Sequence, residues 1–235
     1  MEAVILAGGQ GTRLRPYTTT IPKPLVPVGD KAILEIVIRQ LVLAGVTRVR
    51  LAVNHRAEII MAFFGAGEKL GVPIVYSVEE CALGTVGPLQ LLADLPEHFL
   101  VMNGDLLTDL DYAALYRDHL AGGAPLTVAT YSRDVKIDFG VLEVDAARRL
   151  VTGFHEKPVY HFDVSMGIYV FSRAILARIP VDRPYGFDEL VLGCLKDGVP
   201  IRVYPHRGYW LDLGRPEDYD RANEEAGKLD FLRGV

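Results

Sequence analysis

The residues with the chemistry to handle phosphates stand in groups along this sequence. The run Gly8-Gly9-Gln10-Gly11-Thr12-Arg13-Leu14-Arg15-Pro16 follows a short apolar segment directly. Glycines there let backbone N–H groups approach a phosphate chain with no side chain in the way. It is not a dinucleotide fingerprint, because Leu14 stands where the third glycine should be, and not a P-loop, because no Gly-Lys-Ser/Thr follows. Arg13, Arg15 and Lys23 bring cations close by, the last within Pro22-Lys23-Pro24, where two prolines stiffen the backbone around one lysine. A fixed cation beside a glycine loop suits a polyphosphate; the bland alternative is a Gly-rich turn with solvated charges.

Asn103-Gly104-Asp105 follows the apolar run Phe99 to Met102, so Asp105 emerges at the C-terminal end of a strand, where α/β sheets bind ligands. Magnesium takes one or two carboxylates plus phosphate oxygens and water, so a second acid should converge there from elsewhere. Asp109-Leu110-Asp111 is a rival, being the Asp-x-Asp string with which many glycosyltransferases hold a metal. Asp111, however, precedes the helical stretch Tyr112 to Leu120 and is expected to cap it, with Asp109 in a solvated loop. The histidines form no nucleophilic or metal constellation; His55 and His155 stand alone, and His98 and His119 are expected at the surface.

The elements that must position these groups alternate in type. Glu2 to Ala7, Arg48 to Asn54, Ile74 to Ser77 and Phe99 to Met102 read as strands, with helices at Lys31 to Ala44 and Ala57 to Phe64. That rhythm predicts a parallel, doubly wound sheet. Beyond Gly122 come strand-like runs at Leu126 to Tyr131, Gly140 to Val144, Leu150 to Glu156 and Val164 to Phe171, then helices near Arg173 and Phe187, a strand at Ile201 to His206 and a closing helix at Pro216 to Leu229. The expected fold is therefore a Rossmann-like, doubly wound mixed sheet, one domain over residues 1–235.

Composition removes other classes. The 235 residues are 50% hydrophobic and 23% charged, the balance of a packed globular chain rather than a disordered one. With Lys plus Arg at 25 and Asp plus Glu at 30, the net charge of −5 provides no global field for a nucleic-acid backbone. Cys81 and Cys194 make neither a disulfide framework nor a zinc spacing. The first residues lack a secretory pattern and no apolar stretch is long enough to span a bilayer, so a cytoplasmic location is expected, with no membrane partner.

With these residues in view, the sequence resembles the sugar-1-phosphate nucleotidylyltransferases, closest to the short mannose- and heptose-1-phosphate guanylyltransferases. Leu6-Ala7-Gly8-Gly9 through Arg13 matches the phosphate loop, Pro22-Lys23-Pro24 the lysine motif and Leu83-Gly84-Thr85-Val86-Gly87 the nucleobase loop. In the same order follow Asn103-Gly104-Asp105, Phe139-Gly140-Val141, Glu156-Lys157-Pro158, Gly167-Ile168-Tyr169 and Trp210-Leu211-Asp212-Leu213-Gly214. The resemblance implies transfer from a nucleoside triphosphate to a sugar 1-phosphate with release of pyrophosphate, and a need for Mg2+ held by Asp105 and Asp212. It assigns Arg13 and Lys23 to the triphosphate, and Leu6, Ala7, Gly8, Gly9, Gly11, Thr12, Gly84 and Asp105 to the nucleotide. Lys157 falls to the sugar phosphate and Gly140 and Glu156 to the sugar ring. Ser165 stands where family members commonly carry Asn, a shorter side chain beside the sugar. Tyr169 and Phe171 read as core. Without a β-helix extension after the last helix, a single activity is expected.

Glu79 stands five residues before Gly84, where uridylyl- and thymidylyltransferases of this group usually carry Gln. A carboxylate only accepts hydrogen bonds, which suits the adjacent N1–H and N2–H of guanine better than the mixed edge of uracil. The leading expectation is thus a GTP-dependent guanylyltransferase acting on a manno-configured hexose or heptose 1-phosphate. A UTP-dependent variant, a glycosyltransferase using Asp109 and Asp111, and a non-catalytic nucleotide-sugar sensor are the alternatives.

Overall fold

The computed structural model describes residues 1–181 and 183–232. The near-continuous apolar strands β1 (Glu2–Leu6) and β4 (Arg48–Val53) pair parallel, as strands covered on both faces do. Between them lie the short antiparallel pair β2 (Pro27–Val28) and β3 (Lys31–Ala32), then α1 (Ile33–Leu43). Helix α1 buries Ile33, Leu34, Val37, Ile38 and Leu41 on one face and stops at Gly45, whose N–H returns to the Val42 carbonyl. Helix α2 (Ala57–Phe64) carries the chain to β5 (Ile74–Val78), parallel to β4, and β6 (His98–Asn103) adds to the other side of β1.

After β7 (Leu106–Thr108) comes α3 (Tyr112–Gly122), capped as expected by Asp111, whose Oδ1 accepts from Ala114 N at 2.8 Å. Then follow β8 (Leu126–Lys136), the hairpin β9 (Val141–Asp145) and β10 (Leu150–His155), and β11 (Val159–Ser172). Strand β11 runs antiparallel to both β6 and β8. Helix α4 (Phe187–Lys196), β12 (Ile201–His206), β13 (Trp210–Asp212) and α5 (Pro216–Ala226) complete the order. The seven-stranded sheet reads β12-β8-β11-β6-β1-β4-β5, mixed and doubly wound. Ala3, Ile5, Leu100 and Met102 face α1, α2 and α3, whereas Val4, Phe99 and Val101 join Tyr169, Phe171 and Leu190 on the α4 side.

Two expectations need correction. Strands β8 and β11 run well past Tyr131 and Val164, forming an antiparallel ribbon beyond the core. Ser132, Arg133 and Asp134 hid this extension, because a ribbon that leaves the core carries no burial pattern. His119, expected at the surface, is only 1% exposed. Its ring nitrogens lie 3.0 Å from His98 Nδ1 and 2.9 Å from Thr127 Oγ1, with Ser172 Oγ alongside at 3.3 Å. Burial first, then the His98 ring, depresses its pKa to about 4. Polar partners on neighbouring elements satisfied a histidine that looked solvent-facing in isolation. Cys81 is exposed and Cys194 buried, both free. Among the described residues no helix is long and apolar enough to cross a membrane.

Candidate active site

The C-terminal ends of β1, β4, β5 and β6 open into a cleft of about 550 Å³. Leu6, Ala7, Gly8, Gly9, Arg13, Lys23, Glu79, Gly84 and Asp105 line it, all of them named from sequence. A smaller cavity of about 260 Å³ adjoins it, lined by Gly9, Gly11, Thr12, Arg13, Lys23, Asp105 and Gly214. The glycine loop is fixed by Thr18, whose hydroxyl donates to the Gly11 carbonyl at 2.7 Å, and Gly11 needs its freedom because its φ is +63°.

Lys23 is nearly buried, and its Nζ donates to Asp105 Oδ2. The other carboxylate oxygen, Asp105 Oδ1, is buried and has no hydrogen-bond partner among the described residues. Asp212 arrives from β13, which pairs with β7 through Asp212 and Leu106, while Leu213 N donates to the Asp105 carbonyl at 3.0 Å. Burial raises the Asp212 pKa, the Asp105 charge raises it further, and Lys23 and Arg13 pull it down. Two acids distant in sequence thus share one electrostatic environment with two cations. An orphaned buried carboxylate oxygen beside a second, partly desolvated carboxylate fits a hard divalent cation. No group of three or more His, Cys, Asp or Glu able to hold a metal occurs among the described residues, so such an ion would rely on phosphate and water for its other ligands.

Glu79, 8% exposed just after β5, lines the cleft but not the smaller cavity that Arg13, Lys23 and Asp105 share. Its Oε2 accepts from Leu83 N at 3.1 Å, which ties it to the loop carrying Gly84. Burial raises its pKa and that hydrogen bond opposes the rise. Sequence reasoning missed Asn54, which lines the same cleft and donates from Nδ2 to the Glu79 carbonyl at 3.2 Å. Its place just after β4 was the available signal, since ligands gather where parallel strands end.

The residues assigned to the sugar lie elsewhere. Gly140 and Glu156 are neighbours, because a Cβ on Gly140 would come within 3.3 Å of Glu156 Oε2, but neither they nor Lys157 nor Ser165 lines these cavities. Lys157 occupies the turn into β11 with φ +45°, and Ser165 Oγ donates to the Tyr169 hydroxyl at 3.2 Å. A third cavity, about 790 Å³, joins Arg13 and Asp212 to Tyr131, Arg133, Trp210 and Arg215. Asp109 is not a free loop acid. Its Oδ1 accepts from Tyr209 N at 2.7 Å and lies 2.9 Å from His206 Nε2.

The nucleotidyl transferase family profile matches residues 2–228. The chain belongs to that family. Mannose-1-phosphate guanyltransferases of Schizosaccharomyces pombe and Candida albicans are 37% and 35% identical to it over 227 residues. Each match covers 93% of this chain and 62% of the relative, so the chain spans under two thirds of those proteins. Among solved structures, HddC from Yersinia pseudotuberculosis superposes with a TM-score of 0.76 at 28% identity, covering 95% of this chain and 98% of that one. A form of HddC complexed with GMP-PN gives 0.74 at 27% identity, with the same coverage. A putative glucose-1-phosphate thymidylyltransferase from Bacillus anthracis, in complex with a sucrose, gives 0.78 at 26% identity and covers 100% and 98%.

Proposed function

We propose that residues 1–235 form one nucleotidyltransferase domain that joins GTP to a hexose or heptose 1-phosphate, releasing pyrophosphate and a GDP-sugar. One observation carries this reading: a buried carboxylate acceptor, Glu79, lines the same cleft as Arg13, Lys23 and Asp105, the last three also line the adjoining smaller cavity that Glu79 does not reach, and Asp212 is electrostatically coupled to them. A triphosphate laid along Gly8 to Gly11 puts its base at Glu79 and its β- and γ-phosphates among the cations. Guanine offers two adjacent donors to the carboxylate, whereas uracil offers one N–H flanked by carbonyl oxygens that repel it. The guanyltransferase relatives and the HddC complex with GMP-PN support the choice of base.

The reaction is an in-line displacement. A phosphate oxygen of the sugar 1-phosphate forms a bond to the α-phosphorus while the bond from that phosphorus to the β-phosphate oxygen breaks, and the electron pair leaves with pyrophosphate. A phosphate monoester with second pKa about 6 is already largely ionised, so no general base is required. The chain's work is neutralisation and alignment: Arg13 and Lys23 hold the departing pyrophosphate, and Lys157 meets the acceptor phosphate from the ribbon. Asp105 and Asp212 would hold Mg2+, which supplies positive charge to the phosphate oxygens. Glu156, Gly140 and Ser165 are assigned to the sugar.

The glycosyltransferase alternative loses its acids, since Asp111 caps α3 and Asp109 braces Tyr209 and His206. The UTP-dependent alternative uses the same cleft and turns on which base the Glu79 carboxylate accepts from. The test is a matrix of four nucleoside triphosphates against several sugar 1-phosphates with magnesium, read as pyrophosphate release. Turnover that needs both substrates and favours GTP supports the proposal; no turnover with any pair rejects it, and turnover favouring UTP replaces the base.

A further inference from the structure

Gly8 and Gly9 are adjacent in the phosphate loop, yet they face different surroundings. A Cβ at Gly9 would meet nothing within 4 Å, so it would stand in open cleft. A Cβ at Gly8 would fall 2.9 Å from Glu79 Oε1 and 3.2 Å from Asn54 Cβ. We propose that Gly8 is a specificity-determining residue: its missing Cβ is the space in which the Glu79 carboxylate lies, and filling that space removes the discrimination between bases. This inference rests on the guanine reading of Glu79 given above.

A methyl group here meets a carboxylate whose other oxygen is already engaged, so the carboxylate must move into the cleft to make room. Its Oε2 already accepts from Leu83 N, and its main chain is anchored on both sides, Glu79 N donating to the Val53 carbonyl at 2.9 Å and Asn54 Nδ2 donating to the Glu79 carbonyl. A methyl at position 8 therefore turns the carboxylate from its present position, and Asn54, whose Cβ and backbone N would lie 3.2 and 3.4 Å from the methyl and which itself supports Glu79, must also give. Either movement shifts the acceptor that would read the base. Backbone strain does not confuse the comparison, because Gly8 does not occupy the left-handed region, unlike Gly11. Position 8 thus acts on the base through Glu79, and position 9 acts on the phosphates, which every nucleotide shares.

The test is calorimetric binding of GTP and of UTP to the full chain as wild type, Gly8→Ala, Gly9→Ala, Glu79→Ala and the Gly8→Ala/Glu79→Ala double variant, with thermal melts as the fold control. Gly8→Ala is expected to lower the GTP-to-UTP affinity ratio by about tenfold to a hundredfold, the range for hydrogen bonds to a charged acceptor. Gly9→Ala is expected to weaken both nucleotides by a common factor and leave the ratio in place. In the Glu79→Ala background, Gly8→Ala should move the ratio no further. A ratio untouched by Gly8→Ala in a wild type that prefers GTP overturns this inference alone. An equal effect of Gly8→Ala in both backgrounds also overturns it. A wild type without a guanine preference removes the parent reading and this one together. Should Gly8→Ala fail to fold, a folded double variant upholds the coupling and an unfolded double variant overturns it.

Discussion

The cleft at the strand ends and the β8–β11 ribbon stand in opposite surroundings. At the cleft, the ends of β1, β5 and β6 bring Gly8, Glu79 and Asp105 together with Lys23 from a short helical turn, and backbone hydrogen bonds fix the loops that carry them. The ribbon leaves the core after Tyr131, where Tyr160 and Phe162 are exposed, as are Phe139, Leu142, Val144 and Phe154 in the segment between its two strands. Its polar residues pair locally, as Asp134 does with His161 at 2.6 Å on directly opposed positions. Groups that handle charged phosphates need preorganised, desolvated surroundings, whereas the residues we propose for the sugar are carried on a segment that reaches past the core.

The sharpest way to break this contrast is at the acids. Asp105→Asn and Asp212→Asn should each lower kcat on the order of a thousandfold, since several kcal/mol of charge stabilisation depends on them, with the melt of Asp212→Asn near wild type and that of Asp105→Asn lowered because Lys23 loses its partner; retained turnover in a folded variant would remove the pair from the chemistry. Stability separates the regions next. Phe171→Ala empties a fully buried site and should cost about 3–5 kcal/mol in urea titrations, whereas Phe162→Ser on the half-exposed ribbon should stay within about 0.5 kcal/mol. Comparable losses would mean that the ribbon packs as core.

Lys157→Met and Glu156→Gln should raise KM for the sugar 1-phosphate by roughly tenfold, the cost of one charge-assisted hydrogen bond, with KM for GTP unchanged. A matching rise for GTP would place the ribbon on the nucleotide instead. The smallest effect concerns His119. Its pKa lies at about 4 in the folded chain against 6.5 ordinarily, so below pH 6.5 the unfolded chain takes up a proton that the folded chain refuses. Stability from this residue is full above pH 6.5 and drains as pH falls toward 4. Asp118 pulls the other way, and His98 and Arg202 reinforce the depression. Urea midpoints across that window should slope more steeply in wild type than in His119→Gln; parallel profiles would deny the buried cluster any linkage.

The sequence by itself determined the alternation of strands and helices through residue 122, the Asp111 cap, the free cysteines and most of the residues that line the cleft. These follow from short-range rules, hydrophobic period, turn chemistry and the exit of ligand-bearing loops at strand ends. It also brought forward Asp212, but only through a motif resemblance. Tertiary structure alone decided that Asp212 shares an electrostatic environment with Asp105, because β13 pairs with β7 across more than a hundred residues of chain. It alone buried His119 beside His98, supplied Asn54 as the brace of Glu79, gave Asp109 partners and carried the ribbon beyond the core. The physical reason is common to all of these. A polar side chain's role is fixed by the desolvation and partners it meets in space, and neither is encoded in its immediate neighbours along the chain.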